Sequence, residues 1–247
     1  MSLFNLFQKK IPNNKLMLKM LKRGKSVDQC KAIDYLYAPD EALSKGCGGK
    51  KKKGGCFGSS AWDMDDYINH VDMIVNRLDL KNRALQMIGL DESEISEIPP
   101  IVLYSFQYKG DGVVIKSEES EIENIYRNVS NKYNVTWIFF SRTQIYAYTY
   151  YLNTISDNAF EKVENFFYKD ITCIRTSHEV EECIIERKEG CGCFKKKESQ
   201  YYHANQEYDA LTVVVPDASY SFNCFASESV KESIRRATDL IRQKKNN

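Results

Sequence analysis

The most specific chemistry in this sequence rests on four cysteines. Cys47 and Cys56 sit in a glycine- and lysine-rich stretch, GCGGKKKKGGCFG, at 46–58. Cys191 and Cys193 recur in a similar one, GCGCFKKK, at 190–197. Four thiolates suit a tetrahedral structural zinc site. Flanking glycines let the backbone wrap closely round a metal, and nearby lysines lower thiol pKa values and offset the negative charge of the cluster. Such a clasp of Cys47, Cys56, Cys191 and Cys193 would pin the loop at 46–60 to the C-terminal half. Structural zinc is the one cofactor suggested. The spacings, C-x8-C and C-x-C, differ from the C-x2–4-C knuckles of zinc fingers and ribbons. A disulfide between the loops, or two mobile basic loops with free thiols, therefore stands beside the metal reading. Cys30, Cys173, Cys183 and Cys224 read as small core residues.

Other groups offer less. His70 falls within an apolar helical stripe, His178 lies beside Glu179, Glu181 and Glu182, and His203 follows two tyrosines. None has the spacing of a zinc protease or of paired metal ligands. No nucleophile elbow, phosphate loop or dinucleotide fingerprint occurs. Asp63, Asp65 and Asp66 lack the glycine and distal Glu of a calcium loop, and a helix first turn accounts for them. The residues thus point away from an enzyme of familiar type, with an unrecognised site as the remaining enzymatic reading.

Net charge is +1 over 247 residues, but it is unevenly spread. Residues 1–60 hold 13 Lys and Arg against 4 Asp and Glu, and residues 61–130 hold 6 against 14. The two blocks screen each other in the expected fold. No base-reading or stacking motif accompanies the basic leader, so nucleic acid is not an expected partner. An anionic membrane is an alternative one, with Phe4, Leu6, Phe7, Leu16, Met17 and Leu21 inserting between lysines. No secretory signal or membrane-length apolar run is read, which implies a cytoplasmic protein with reduced cysteines.

The elements follow from periodicity. Residues 13–37 predict two helices, with Gly24 between them and a Ser26/Gln29 capping box opening the second. Residues 62–89 predict two more. Met64, Tyr67, Ile68, Val71, Ile74, Val75 and Leu78 form one buried stripe, Asp79 a cap and Gly89 a stop. Pro99 and Pro100 mark a boundary, giving a helical region 1–100 and a strand-rich region 101–247. Strands are expected at 101–106 and 113–116 as a pair, then, beyond an acidic stretch at 117–131, at 135–140, 144–151, 160–168, 171–176, 183–187, 208–215 and 220–226. A final helix at 227–244 carries Val230, Ile234, Ala237 and Ile241 inward, with a Ser229/Glu232 capping box.

The run VTWIFFSRTQIYAY at 135–148, followed by FFYKDITCI at 166–174, resembles bacterial pleckstrin-homology (PH) and GRAM-like domains. The resemblance spans about residues 101–247. It implies an α+β protein: a helical N-terminal region, then a PH-like antiparallel β-sandwich or barrel closed by a C-terminal helix. That family hosts lipid binding, peptide binding and scaffolding. Its headgroup sites draw on several cations around the first hairpin, where this chain has Lys109 and Lys116, so lipid binding is not carried over. The expected function is a non-enzymatic interaction module that meets another protein at a sheet edge or groove. A peripheral membrane adaptor is the alternative.

Overall fold

The computed structural model describes residues 15–37, 62–95, 97–119, 126–189, 198–225 and 227–246. Among these the fold is α+β. Helices α1 (Lys15–Lys22), α2 (Val27–Tyr37), α3 (Met64–Arg77) and α4 (Leu80–Ile88) come first. Strands β1 (Ile101–Phe106), β2 (Ile115–Glu119), β3 (Tyr126–Ser130), β4 (Lys132–Phe140), β5 (Gln144–Asn153), β6 (Ala159–Phe167), β7 (Cys173–Glu189), β8 (Glu198–Val215) and β9 (Ala218–Cys224) follow, and α5 (Glu228–Asn246) ends the chain.

Local chemistry sets the helix ends. Ser26 Oγ accepts from Gln29 N at 3.1 Å while Gln29 Oε1 accepts from Ser26 N at 2.9 Å, so α2 opens on the expected reciprocal box. Asp63 and Asp66 form another at the start of α3. With Asp65 paired to Arg127 at 3.0 Å, the three aspartates serve a helix start. Asp79 differs from expectation. It precedes α4 in the left-handed region (φ 45°) and makes no side-chain cap bond; its carboxylate instead accepts from the Asn82 amide at 2.8 Å. Gly89 ends α4 as expected at φ 77°, donating to Leu85 O. A positive φ of this kind costs glycine little.

A four-stranded antiparallel sheet in the order β1-β4-β5-β6 forms the centre. Side chains alternate between its two faces, and both faces are covered. On one, Phe106, Tyr133, Val135, Phe139, Tyr148 and Tyr150 meet Tyr35, Leu36, Met64, Tyr67, Val71 and Leu85 from the helices. On the other, Ile101, Leu103, Ile138, Phe140, Ile145 and Ala147 meet Leu211, Val213 and Phe222 of the three-stranded sheet β7-β8-β9. Helix α5 closes this second core with Ile234, Ala237, Leu240 and Ile241. Its start is capped by Ser227, whose Oγ accepts from Val230 N at 3.2 Å, not by the expected Ser229/Glu232 box. Its end is held by Lys244 on Glu97 at 2.8 Å and by Lys245 Nζ on Thr172 O at 3.1 Å.

Three strand assignments change. β1 pairs with β4 and not with the next strand. The acidic stretch contributes β3 and the end of β2, which form a hairpin of their own. The weak strands at 171–176 and 183–187 are one strand, β7, paired with β8 over its whole length from Cys173↔Val214 to Glu189↔Glu198. Long-range pairing supplies what local pattern lacks there. The sheets are separate, and no closed barrel forms among the described residues.

A candidate binding cleft between the sheets

The inward face of the central sheet changes character along its length. Toward α5 it presents Ile138, Phe140, Ile145 and Ala147. Further along the same strands the inward positions become Asn134 and Thr136 on β4, Thr149 and Tyr151 on β5, and Ser105 on β1. A sandwich interior would normally be apolar here, since buried polar groups need partners. Thr136 and Thr149 bond each other at 3.0 Å, and Ser105 Oγ donates to Phe106 O at 3.0 Å. Where the inward residues turn polar, the two sheets enclose an open cleft of about 590 Å³.

The walls are built from both sheets. Lys162 and Glu164 of β6 pair at 2.8 Å, and that carboxylate bond raises the ammonium pKa of Lys162. Lys162 Nζ also lies 5.9 Å from the ring centroid of Tyr220. Tyr220 packs edge-on against Phe166 at 4.9 Å. Burial pushes the Tyr151 phenol up, and Phe160 leans on its ring at 5.6 Å.

Strand directions make the cleft more than a gap. Gln107 N donates to Lys132 O at 2.9 Å, so Gln107 faces the β4 side. Phe225 N donates to Tyr104 O at 3.0 Å, which is the backbone bond that joins β1 to the β9 segment among the described residues. Backbone groups alternate in direction along an antiparallel strand. Phe106 therefore turns its N–H and C=O toward the β9 side, and Ser221 and Asn223 turn theirs toward β1. All three line the cleft. Two strand edges thus look at each other across it.

The expected metal ligands Cys47, Cys56, Cys191 and Cys193 lie outside the described residues, as does the loop at 46–60. Among the described residues no group of three or more His, Cys, Asp or Glu stands ready for a metal ion. His70 is buried and packs at a tilt against Trp62, ring centroids 4.8 Å apart; burial lowers its pKa. His178 Nδ1 contacts Asp209 Oδ1 at 3.1 Å. The His203 side chain is outside the described set. In the basic leader, α1 packs on α2, while Met20 and Val27 stay largely exposed. Among the described residues no helix is long and apolar enough to cross a membrane.

Cys224 is a core residue, as expected. It is buried, and its thiol donates to Asp209 O at 3.3 Å. Burial, and then the Asp209 carboxylate, push its pKa from 9.0 up to about 11. The native thiol should resist alkylation at pH 8, since the thiolate is the nucleophile. Between those two values the native state holds a proton that the unfolded chain releases. Stability should therefore fall as pH rises through that window. Unfolding in urea at pH 8 and pH 10.5 checks this: Cys224→Ala should lose less stability than the parent over the interval, and an equal loss would refute it.

Comparison with known protein families, with curated proteins and with solved structures finds no match to this chain.

Proposed function

We propose that the chain is a non-enzymatic interaction module of PH-like architecture, which takes an extended segment of a partner protein into the cleft between β1 and β9. The order of strands supports the PH-like reading. A four-stranded antiparallel sheet and a three-stranded one follow each other in sequence, and a C-terminal helix seals the apolar end. The β2-β3 hairpin is an insertion in that plan, and the N-terminal helices are an added layer.

The observation that carries the ligand reading is the pair of strand edges facing each other across a polar cleft. An extended peptide satisfies such edges by main-chain bonds, and nearby side chains then set its specificity. Here those side chains are hydroxyls, amides and aromatic rings, with the Lys162–Glu164 pair and Lys109. They suit a polar segment.

Selection of peptides from a displayed random library on the full chain tests the reading. The strongest peptide should shift the amide resonances of Phe106, Ser221 and Asn223. Ser221→Pro removes an N–H aimed at the cleft and spares the bonds to β8. It should weaken binding by about tenfold. Peptides that shift other amides, or bind Ser221→Pro as well as the parent, would sink the proposal.

A further inference from the structure

Among the described residues β6 is the other free border of the central sheet, with β5 as its sheet neighbour. Its backbone directions follow from two bonds. Ser141 N donates to Gln144 O at 3.0 Å, so Gln144 faces the β4 side; Ile145 then faces β6, and its partner Phe166 faces back. Tyr168 N, two residues on, donates to Thr143 O at 3.1 Å in the same sense. By alternation, Ala159, Glu161, Val163, Asn165 and Phe167 turn their N–H and C=O groups outward. An open edge of this kind is a template for pairing. Two large apolar side chains stand on it, Phe160 at 61% exposure and Phe167 at 44%.

We propose that β6 pairs antiparallel with β6 of a second copy of this chain, about a two-fold axis at Val163. In such a pair a residue directed outward must face another directed outward. Centres from Glu161 to Asn165 all satisfy this, but centring on Lys162 or on Glu164 sets that residue opposite its own copy, like charge against like charge. Only the Val163 centre overlaps all of Ala159–Phe167. It sets Lys162 opposite Glu164 of the second copy, and the two-fold axis repeats that contact. It also sets Phe160 opposite Phe166 of the second copy. Centring on Glu161 would oppose Lys162 to Phe160, and centring on Asn165 would oppose Glu164 to Phe166.

Lys162 and Glu164 already pair within one chain at 2.8 Å. In the dimer each would meet its own neighbour and the opposite one, giving four charges of alternating sign. These pairs fall at the closely spaced, non-hydrogen-bonded positions, where side chains interact most strongly. The edge is thus complementary to itself in charge, ring placement and backbone direction, and the central sheet would continue across both copies.

Sedimentation equilibrium of the full chain, over a wide concentration range, tests this. The parent should dimerise. Lys162→Glu sets like charges opposite each other and should weaken the dimer by about tenfold or more. Adding Glu164→Lys to that variant restores opposite signs at every contact and should restore the dimer. Val163→Pro removes an outward N–H at the axis without touching the β5 ladder, and should abolish pairing. Circular dichroism on each variant separates loss of pairing from loss of fold. A parent that stays monomeric throughout would overturn the proposal. So would a dimer indifferent to both single substitutions, or a double variant that pairs no better than Lys162→Glu.

Discussion

Tyr67→Ala should cost the fold about 3–5 kcal/mol, the range for removing a buried aromatic side chain. Tyr67 is wholly buried where the helical layer meets the central sheet. Its ring stacks on Tyr35 at 5.1 Å and lies 6.3 Å from Phe106. Its hydroxyl donates to Ser130 O at 2.8 Å and bonds the Thr154 hydroxyl at 2.7 Å. Alanine would leave a cavity and one orphaned carbonyl, since Thr154 Oγ1 keeps a bond to Asn131 O at 3.3 Å. Tyr67→Phe keeps the ring and isolates the polar part, about 1–3 kcal/mol. Urea unfolding reads both, with an unchanged slope marking a change in stability alone. The variant also reports on cohesion. One core cluster contains Tyr35, Tyr67, Phe106 and Tyr148, which come from both sides of the Pro99–Pro100 break. The helices and the sheet should therefore unfold together. A loss below about 1 kcal/mol, within the spread of ordinary surface changes, would mean the helical layer is only loosely bound.

Much of this was legible in the sequence because the signal was local. The stripe on α3 and the apolar positions of α5 follow the helical period. The β4-β5 hairpin is tight and apolar. The β2-β3 hairpin was hidden because Lys116, Glu118 and Arg127 break any visible alternation, although Lys116 is in fact buried. β7 was hidden for another reason. Its stretch TSHEVEE has no apolar period, and it becomes a strand through a partner, β8, that begins only at Glu198.

The cleft is a more instructive miss. The change from Ile138 and Phe140 to Asn134 and Thr136 is plain in the sequence, as is that from Ile145 and Ala147 to Thr149 and Tyr151. It could not be read as a site, because the opposite face of β4 is apolar throughout: Tyr133, Val135, Trp137 and Phe139. A strand covered on both faces shows no clean inside and outside. Only once the helices are seen to take one face does the polar row on the other stand out as a lining.

The cleft depends on the opposite end of the sandwich staying shut, and this makes α5 the second large effect. Ile234→Ala should cost about 2–5 kcal/mol, because Ile234 is 4% exposed and packs in the core between the sheets. Arg235→Ala, one residue on, changes a side chain on the solvent face whose bonds are to Glu232 of the same helix. It should cost no more than about 0.5 kcal/mol. The two substitutions have the same product and adjacent sites, so helix propensity largely cancels and the difference reports burial. Chemical denaturation measures it. Near-equal losses would mean that α5 rests on the sandwich without sealing it. The inner core would then have to be held by the sheets alone, and Tyr220 in the polar cleft would lose the fixed support of Phe166 beneath it.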